Sequence, residues 1–392
     1  MASAVSIFTL EQIKRGLPPP SSLLGAIADS LVLYSQRKVL LAPASHLSFA
    51  PAGVNADCCV KFAFAIGGRY WVGKVASGFY DNPSVGLPSS SGLMLVFDLQ
   101  VCLTCKPLLD EAHLFTHHLL TLLNNSPSSN VLPAPLQVGL PRAVLLDEGH
   151  LTDLRTALAA TVSARALGPR NARAVGILGA GTIATLLPTT LRLATACPSL
   201  VVWARREEQA KQLAQKAEGE GWSATTVPTP GEVMAKCDII FCCTPARAAL
   251  LYKEDLRTRP PGHGLFICAL GADAKGKQEL HPSLVASAQL LVPDSKAQCF
   301  EFGELSHALG ESLISETDPR VIELGEILST HVGLQRGGED DTRFTLVDST
   351  GIGASDLAIA EAVYSQLGEG SAPPTAPQHR WRHPLTVGQS RL

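Results

Sequence analysis

The sequence predicts an α/β protein with a doubly wound parallel sheet, preceded by an α+β part built on an antiparallel sheet. Three observations predict it. From Ala172 onward, short apolar runs alternate with helical stretches, the pattern of strands crossing over through helices. The first of those runs leads directly into Gly179-Ala180-Gly181-Thr182-Ile183-Ala184, a glycine turn between a strand and a helix. Before residue 100, strand-like runs are instead separated by glycine and proline, as in hairpins. The chain has 392 residues, 46% of them hydrophobic and 17% charged, which suits two domains with ordinary cores. A net charge of −3 gives no general attraction for phosphate backbones, so nucleic acid is not an expected partner.

In chain order, Ser6 to Arg37 reads as helical, broken by Pro18–Pro20. Strands are expected at Val39–Leu41, Cys59–Ala65, Tyr70–Val75 and Leu93–Phe97. Residues of about 103–142 read as an insertion, because Asn124–Pro135 is rich in Asn, Ser and Pro. Within it, Leu108–Leu114 nearly duplicates Leu145–Leu151, which is too little for a repeat architecture. Further on, a strand at Ala174–Leu178 precedes a helix to about Ala196, with Pro188 expected to kink it. Leu200–Trp203, Asp238–Cys243 and Leu265–Ala269 read as strands, and Glu207–Ala217 as a helix. Pro319 to Gln366 reads as helical around a strand at Thr345–Asp348, and the polar tail after residue 367 as disordered.

No stretch is long and apolar enough to predict a membrane span, and the apolar start Met1–Leu10 lacks the basic residues of a secretory leader. The ten cysteines fall mostly in apolar runs, so reduced thiols and a cytoplasmic location are expected. Cys102 and Cys105 make a single C-x-x-C without a second pair, and no metal is expected.

The glycine turn carries the first chemical expectation. Gly179 permits the tight turn, Gly181 lets backbone approach a pyrophosphate, and Ala184 allows close helix–strand contact. The helix start then offers free N–H groups to the phosphates. The same turn also suits a Rossmann-like domain that binds nothing. About 20 residues on, where NAD sites usually carry an acid, stands Ala204, followed by Arg205 and Arg206. Two guanidinium groups can pair a 2′-phosphate, so NADP(H) is expected with NAD(H) possible; alternatively they cap an exposed loop.

Six segments together resemble the ornithine cyclodeaminase/mu-crystallin family. They are Lys74–Leu93, Leu151–Thr156, the glycine turn, Cys243–Pro245, Gly271–Leu280 and Asp348–Asp356. The phrasing S-G-F-x-D-N-P and Gly303–Leu309 is most similar to the family's ectoine-utilisation branch. The resemblance implies a substrate and dimerisation domain made of residues 1–157 and 319–367, around a nucleotide-binding domain at 158–318. It implies a homodimer acting on a small amino acid or cyclic imine, by hydride transfer at the carbon next to a carboxylate. Such chemistry needs a carboxylate anchor and a proton donor in a dry pocket.

Residue by residue, the resemblance makes Lys74 the active-site lysine, whose pKa falls when desolvated. Arg155 becomes the carboxylate fork, and Asp273 the acid that assists amine deprotonation, although an aspartate there also suits a helix cap. Thr244 and Pro245 would line the cofactor cleft, with Asp356 on the helix closing over it. Lys61, on a neighbouring strand, is either a further substrate contact or a solvated face. Cyclodeaminases carry a second carboxylate-binding arginine where this chain reads Ala42-Pro43-Ala44-Ser45-His46, which puts ornithine in doubt. Imine reduction or cyclodeamination is therefore expected. The alternatives are a weakly catalytic NADPH- and ligand-binding protein like mu-crystallin, or a simple amino-acid dehydrogenase.

Overall fold

The computed structural model describes residues 5–100, 137–330 and 342–368. Most of the expected insertion, with its C-x-x-C pair, and the tail after residue 368 lie outside them. The chain opens with β1 (Ser6–Thr9), α1 (Leu10–Arg15), α2 (Pro20–Ser35), β2 (Val39–Leu41), β3 (Ser45–Ser48), β4 (Ala56–Ala65), β5 (Tyr70–Phe79) and β6 (Ser90–Gln100). Next come β7 (Gln137–Leu146) and α3 (His150–Leu167). They form a sheet ordered β1-β7-β6-β5-β4-β2, with β3 also on β4; only the β1–β7 pair is parallel.

Alternation along β4 and β5 decides the two faces of this sheet. Lys61, Ala63, Val72 and Lys74 point to the buried side, and Phe62 and Trp71 point away. Tertiary pairing overrides the sequence reading at two places. Ser6–Thr9, expected to be helical, is a strand because β7 offers it a paired edge. Residues 137–142, expected in the insertion, begin β7; Pro141 sits opposite Phe97 at a register shift, where a missing N–H is tolerated.

The second half runs β8 (Val175–Leu178), α4 (Thr182–Leu191), β9 (Ser199–Trp203), α5 (Glu207–Gly219), β10 (Ser223–Thr226), α6 (Pro230–Lys236), β11 (Ile239–Cys242), β12 (Arg247–Leu251), β13 (Leu265–Ala269) and β14 (Gln278–Leu280). It closes with α7 (Pro282–Ala286), β15 (Leu290–Pro293), α8 (Lys296–Phe302), α9 (Glu304–Gly310), α10 (Leu324–Thr330), β16 (Phe344–Asp348) and α11 (Gly353–Gly368). Seven strands pair in parallel in the order β10-β9-β8-β11-β13-β16-β15, the doubly wound sheet the sequence predicts. β8, β11 and β13 are buried along their whole length, as helices on both faces require. α4 runs unbroken through Pro188 but stops at Leu191, short of the expected Ala196.

One assignment changes. The strand at 344–348, expected with the chain ends, lies between β13 and β15 in the parallel sheet, and all five of its residues are buried. Burial of every residue along a strand suits a sheet covered on both faces better than an open one. The crossing back to the first sheet comes only with α11, which packs on α2, β4 and β5, while α10 packs on α2. No helix among the described residues is long and apolar enough to cross a membrane, and the described cysteines are free thiols.

The α2–α10 crossing is close enough to demand glycine: a Cβ at Gly325 would overlap the Leu31 carbonyl oxygen. Gly325→Ala is expected to destabilise the fold by about 1–3 kcal/mol, the usual cost of overpacking. Denaturant unfolding checks this, and an unchanged midpoint would contradict the crossing.

Candidate active site

A cleft of about 700 Å³ runs along the carboxyl ends of the parallel strands and is walled on the far side by β4 and β5. This is the place where open parallel sheets bind ligands, next to the switch in strand order between β8 and β11.

At one end lies the glycine turn. Gly179 has φ +117°, and its Cβ would stand 2.7 Å from the Cys243 carbonyl oxygen, so only glycine fits. Its N–H donates to the Trp203 carbonyl at 2.8 Å, tying the turn to β9. At Gly181, the residue that opens α4, an added Cβ would meet no protein atom within 4 Å; the space above that helix start is open. Ala184 does not reach the cleft; it is fully buried in the helix–sheet contact. Arg205 and Arg206 are exposed at the rim, just past β9. Thr244 and Pro245 follow β11 and line the same wall.

The Thr244 loop is held by a group that sequence reasoning missed. Buried Glu279 accepts from the Thr244 N–H, the Thr244 hydroxyl and the Gly271 N–H, each at 2.7 Å. Burial pushes its carboxyl up to about 7. Three donors converging on one carboxylate fix the β11 and β13 loops against each other.

The other end of the cleft is cationic. Lys74 on β5 and Lys61 on β4 are direct cross-strand partners, both turned inward and both nearly buried. Lys74 Nζ lies 3.0 Å from Asp356 on α11, and Arg155 Nε on α3 lies 2.9 Å from the same carboxylate. Burial pushes Lys74 down to about 8 against the opposing pull of Asp356. Burial alone would raise Asp356, but Arg155, Lys74 and Lys61 together hold it below the usual carboxylate range. Asp356 is 1% exposed and does not line the cleft; it stands behind the lysine and the arginine as their counter-ion.

The loop after β16 completes this end. Lys61 Nζ donates to the Gly351 carbonyl at 2.5 Å. Gly351 has φ +78°, and a Cβ there would collide with the Arg155 guanidinium. Asp294 braces the loop by accepting from Ser349 Oγ, Thr350 Oγ1 and the Gly351 N–H at 3.1, 3.1 and 2.7 Å. Nothing local in the sequence marks Asp294 for this role, because the loop it braces lies more than fifty positions away.

Asp273 faces the cleft between the two ends, but not alone. Lys277, four residues on, donates to it at 2.7 Å, also reaches the Tyr80 hydroxyl at 2.7 Å and lies 3.7 Å from Asp57. Burial would raise the Asp273 carboxyl, yet Lys277 holds it below the usual range. The Tyr80 hydroxyl donates to Asp57 at 2.9 Å and is pushed up to about 12 by burial. These bonds join the parallel-sheet half to β4 and the segment after β5. In the G-A-D-A-K-G-K segment the lysine four residues after the aspartate is the sequence signal for this pairing. Among the described residues, no cluster of His, Cys, Asp or Glu is suited to a metal ion.

The chain matches the family model "Ornithine cyclodeaminase/mu-crystallin family" over residues 129–371. It belongs to that family. A protein named as an uncharacterised cyclodeaminase from Sinorhizobium fredii is 31% identical over 80% of this chain and 81% of its own length. Two solved structures are 26% identical and cover 92% of this chain: an archaeal alanine dehydrogenase dimer with bound NAD, TM-score 0.72, and the iminosuccinate reductase of Paracoccus denitrificans with NAD+, TM-score 0.71. They are covered to 95% and 96% of their own chains. The family membership makes this chain an enzyme of the reductase and cyclodeaminase type.

Proposed function

We propose that this enzyme interconverts a small imino acid and the corresponding amino acid with a nicotinamide dinucleotide. The observation that carries this reading is one continuous cleft, with a pyrophosphate-type glycine turn at one end and the Lys61, Lys74 and Arg155 cations at the other. The open space at Gly181 and the start of α4 fit the anionic part of a dinucleotide. Bound there, the nicotinamide supplies or accepts the hydride at the carbon next to the carboxylate. The protein does the rest. Arg155 holds the carboxylate, and Lys74 gives a proton to the imine nitrogen or takes it back. Asp356 keeps Arg155 and Lys74 aligned. Because Asp273 is engaged by Lys277 and held ionised, it orients polar groups of the substrate better than it removes a proton from an ammonium. That favours imine reduction and its reversal over cyclodeamination.

Lys74 must be an ammonium to donate and an amine to accept. With its value at about 8, kcat/KM for imine reduction is expected to fall as pH rises through 8, while amino-acid oxidation rises. Lys74→Met should remove that limb and slow turnover about 100-fold or more. A pH profile indifferent to this substitution would rule out the proton-transfer role.

The rim at Ala204, Arg205 and Arg206 supports acceptance of NADP(H) beside NAD(H), since no acid stands there to repel a 2′-phosphate. Replacing both arginines by serine should move the NADPH-to-NADH ratio of kcat/KM at least about tenfold toward NADH, as charge-assisted bonds of about 1.5–3 kcal/mol are lost. An unmoved ratio would place the arginines outside nucleotide recognition.

A homodimer follows from the outward face of the first sheet. Ile7, Leu40, Phe62 and Leu146 are 39–62% exposed there, beside a stacked Trp71–Phe97 pair with ring centroids 3.8 Å apart. An apolar sheet face of this kind marks an interface. Sedimentation equilibrium is expected to give twice the chain mass, and Phe62→Glu to reduce it toward one; a wild-type monomer would refute the pairing.

A further inference from the structure

Lys61, Lys74 and Arg155 are 7%, 3% and 6% exposed, and two of them share one carboxylate. Asp356 serves Lys74 and Arg155. Among the described residues no carboxylate lies within ion-pair distance of Lys61: its ammonium donates to the Gly351 carbonyl, and Asp356 and Asp273 act on it only from farther off. It also stands directly across from Lys74, where like charges on paired strands repel. The remaining acids of the cleft relieve this only in part. Asp57 and Asp273 are both engaged by Lys277, and burial pushes Asp153 up to about 7, leaving it only partly charged at neutral pH. A buried cation without a close counter-ion is unfavourable, and three cations here share one close carboxylate, so this end of the cleft favours a ligand carrying more than one negative charge.

The surroundings of Lys61 say where the second charge sits. Cys59 and Asp57 follow Lys61 on the inward face of β4, and His46 on the neighbouring β3 lies 3.8 Å from the Cys59 sulfur. His46, Cys59 and Lys61 all line the cleft. Burial and Lys61 lower the histidine's pKa, which keeps it a neutral imidazole able to donate one N–H.

We propose that the substrate is a dicarboxylic imino or amino acid, its α-carboxylate held by Arg155 and its second carboxylate held by Lys61 with His46. This rests on the oxidoreductase reading above and names the substrate class of that same site. The arrangement also disfavours diamino substrates. A distal ammonium entering this pocket meets Lys61, and both acids that would receive it are taken by Lys277.

The test compares reduction, by the purified full chain with NADH, of the imines formed by ammonia with oxaloacetate and with pyruvate. In reverse, it compares oxidation of aspartate, alanine and ornithine. The expected result is a kcat/KM for the four-carbon diacid at least tenfold above that for the monocarboxylate. Lys61→Met should cut that ratio at least tenfold, through KM rather than kcat, and Lys61→Arg should restore part of it. Should Lys61→Met fold poorly, inhibition of the wild-type enzyme decides: succinate is expected to inhibit at least tenfold more tightly than propionate. A wild-type preference for alanine or ornithine overturns the proposal, as does an equal loss on both substrate classes in Lys61→Met or equal inhibition by the two acids. Turnover of alanine without aspartate defeats only this inference. No dinucleotide-dependent turnover of any imino or amino acid defeats the oxidoreductase reading as well.

Discussion

Asp356 places one ionised carboxylate, almost wholly out of water, within 3.0 Å of Lys74 and 2.9 Å of Arg155. The three residues come from α11, β5 and α3, so a single anion joins the last helix, the antiparallel sheet and the long helix that leads into the parallel sheet. Removing one member of such a group leaves a buried charge uncompensated, typically at about 3–5 kcal/mol. The ion group is thus a constraint on the fold as well as on the site. It fixes the lysine and the arginine relative to each other at the wall of the cleft.

A second set of carboxylates does the same for the loops. Asp294 holds residues 349–351, Glu279 holds the Thr244 and Gly271 loops, and Glu304 accepts from the Glu279 and Leu280 N–H groups. Each buried acid faces N–H or hydroxyl donors, which is how a protein keeps loop backbone in place without a regular ladder. Rigid loops at strand ends are what an active site built from many separate segments needs. The Lys277 bonds to Asp273, Tyr80 and Asp57 then close the cleft from side to side.

The parallel sheet was largely legible because its strands are short apolar runs bounded by turns, and the glycine turn has a spacing that backbone geometry imposes. The first sheet was less so. Ser6–Thr9 carries no alternation strong enough to announce a strand, Ser45–Ser48 is exposed throughout with a single apolar residue, and Pro141 disguises the start of β7. Each becomes a strand because a neighbouring edge pairs with it. Lys61 had two open readings from sequence, and only the register against Lys74 and the closure by Gly351 turn its ammonium into the cleft.

By itself the sequence determined the doubly wound sheet, the glycine turn between its first strand and helix, and the motifs that mark the family. All of these depend on local spacing or on motifs within a few residues. Tertiary structure alone decided which charges share a counter-ion. Asp356 reaches Lys74 from 282 positions away, and Asp294 reaches Gly351 from 57. Electrostatic partnership depends on distance and on exclusion of water, and neither is written in local sequence.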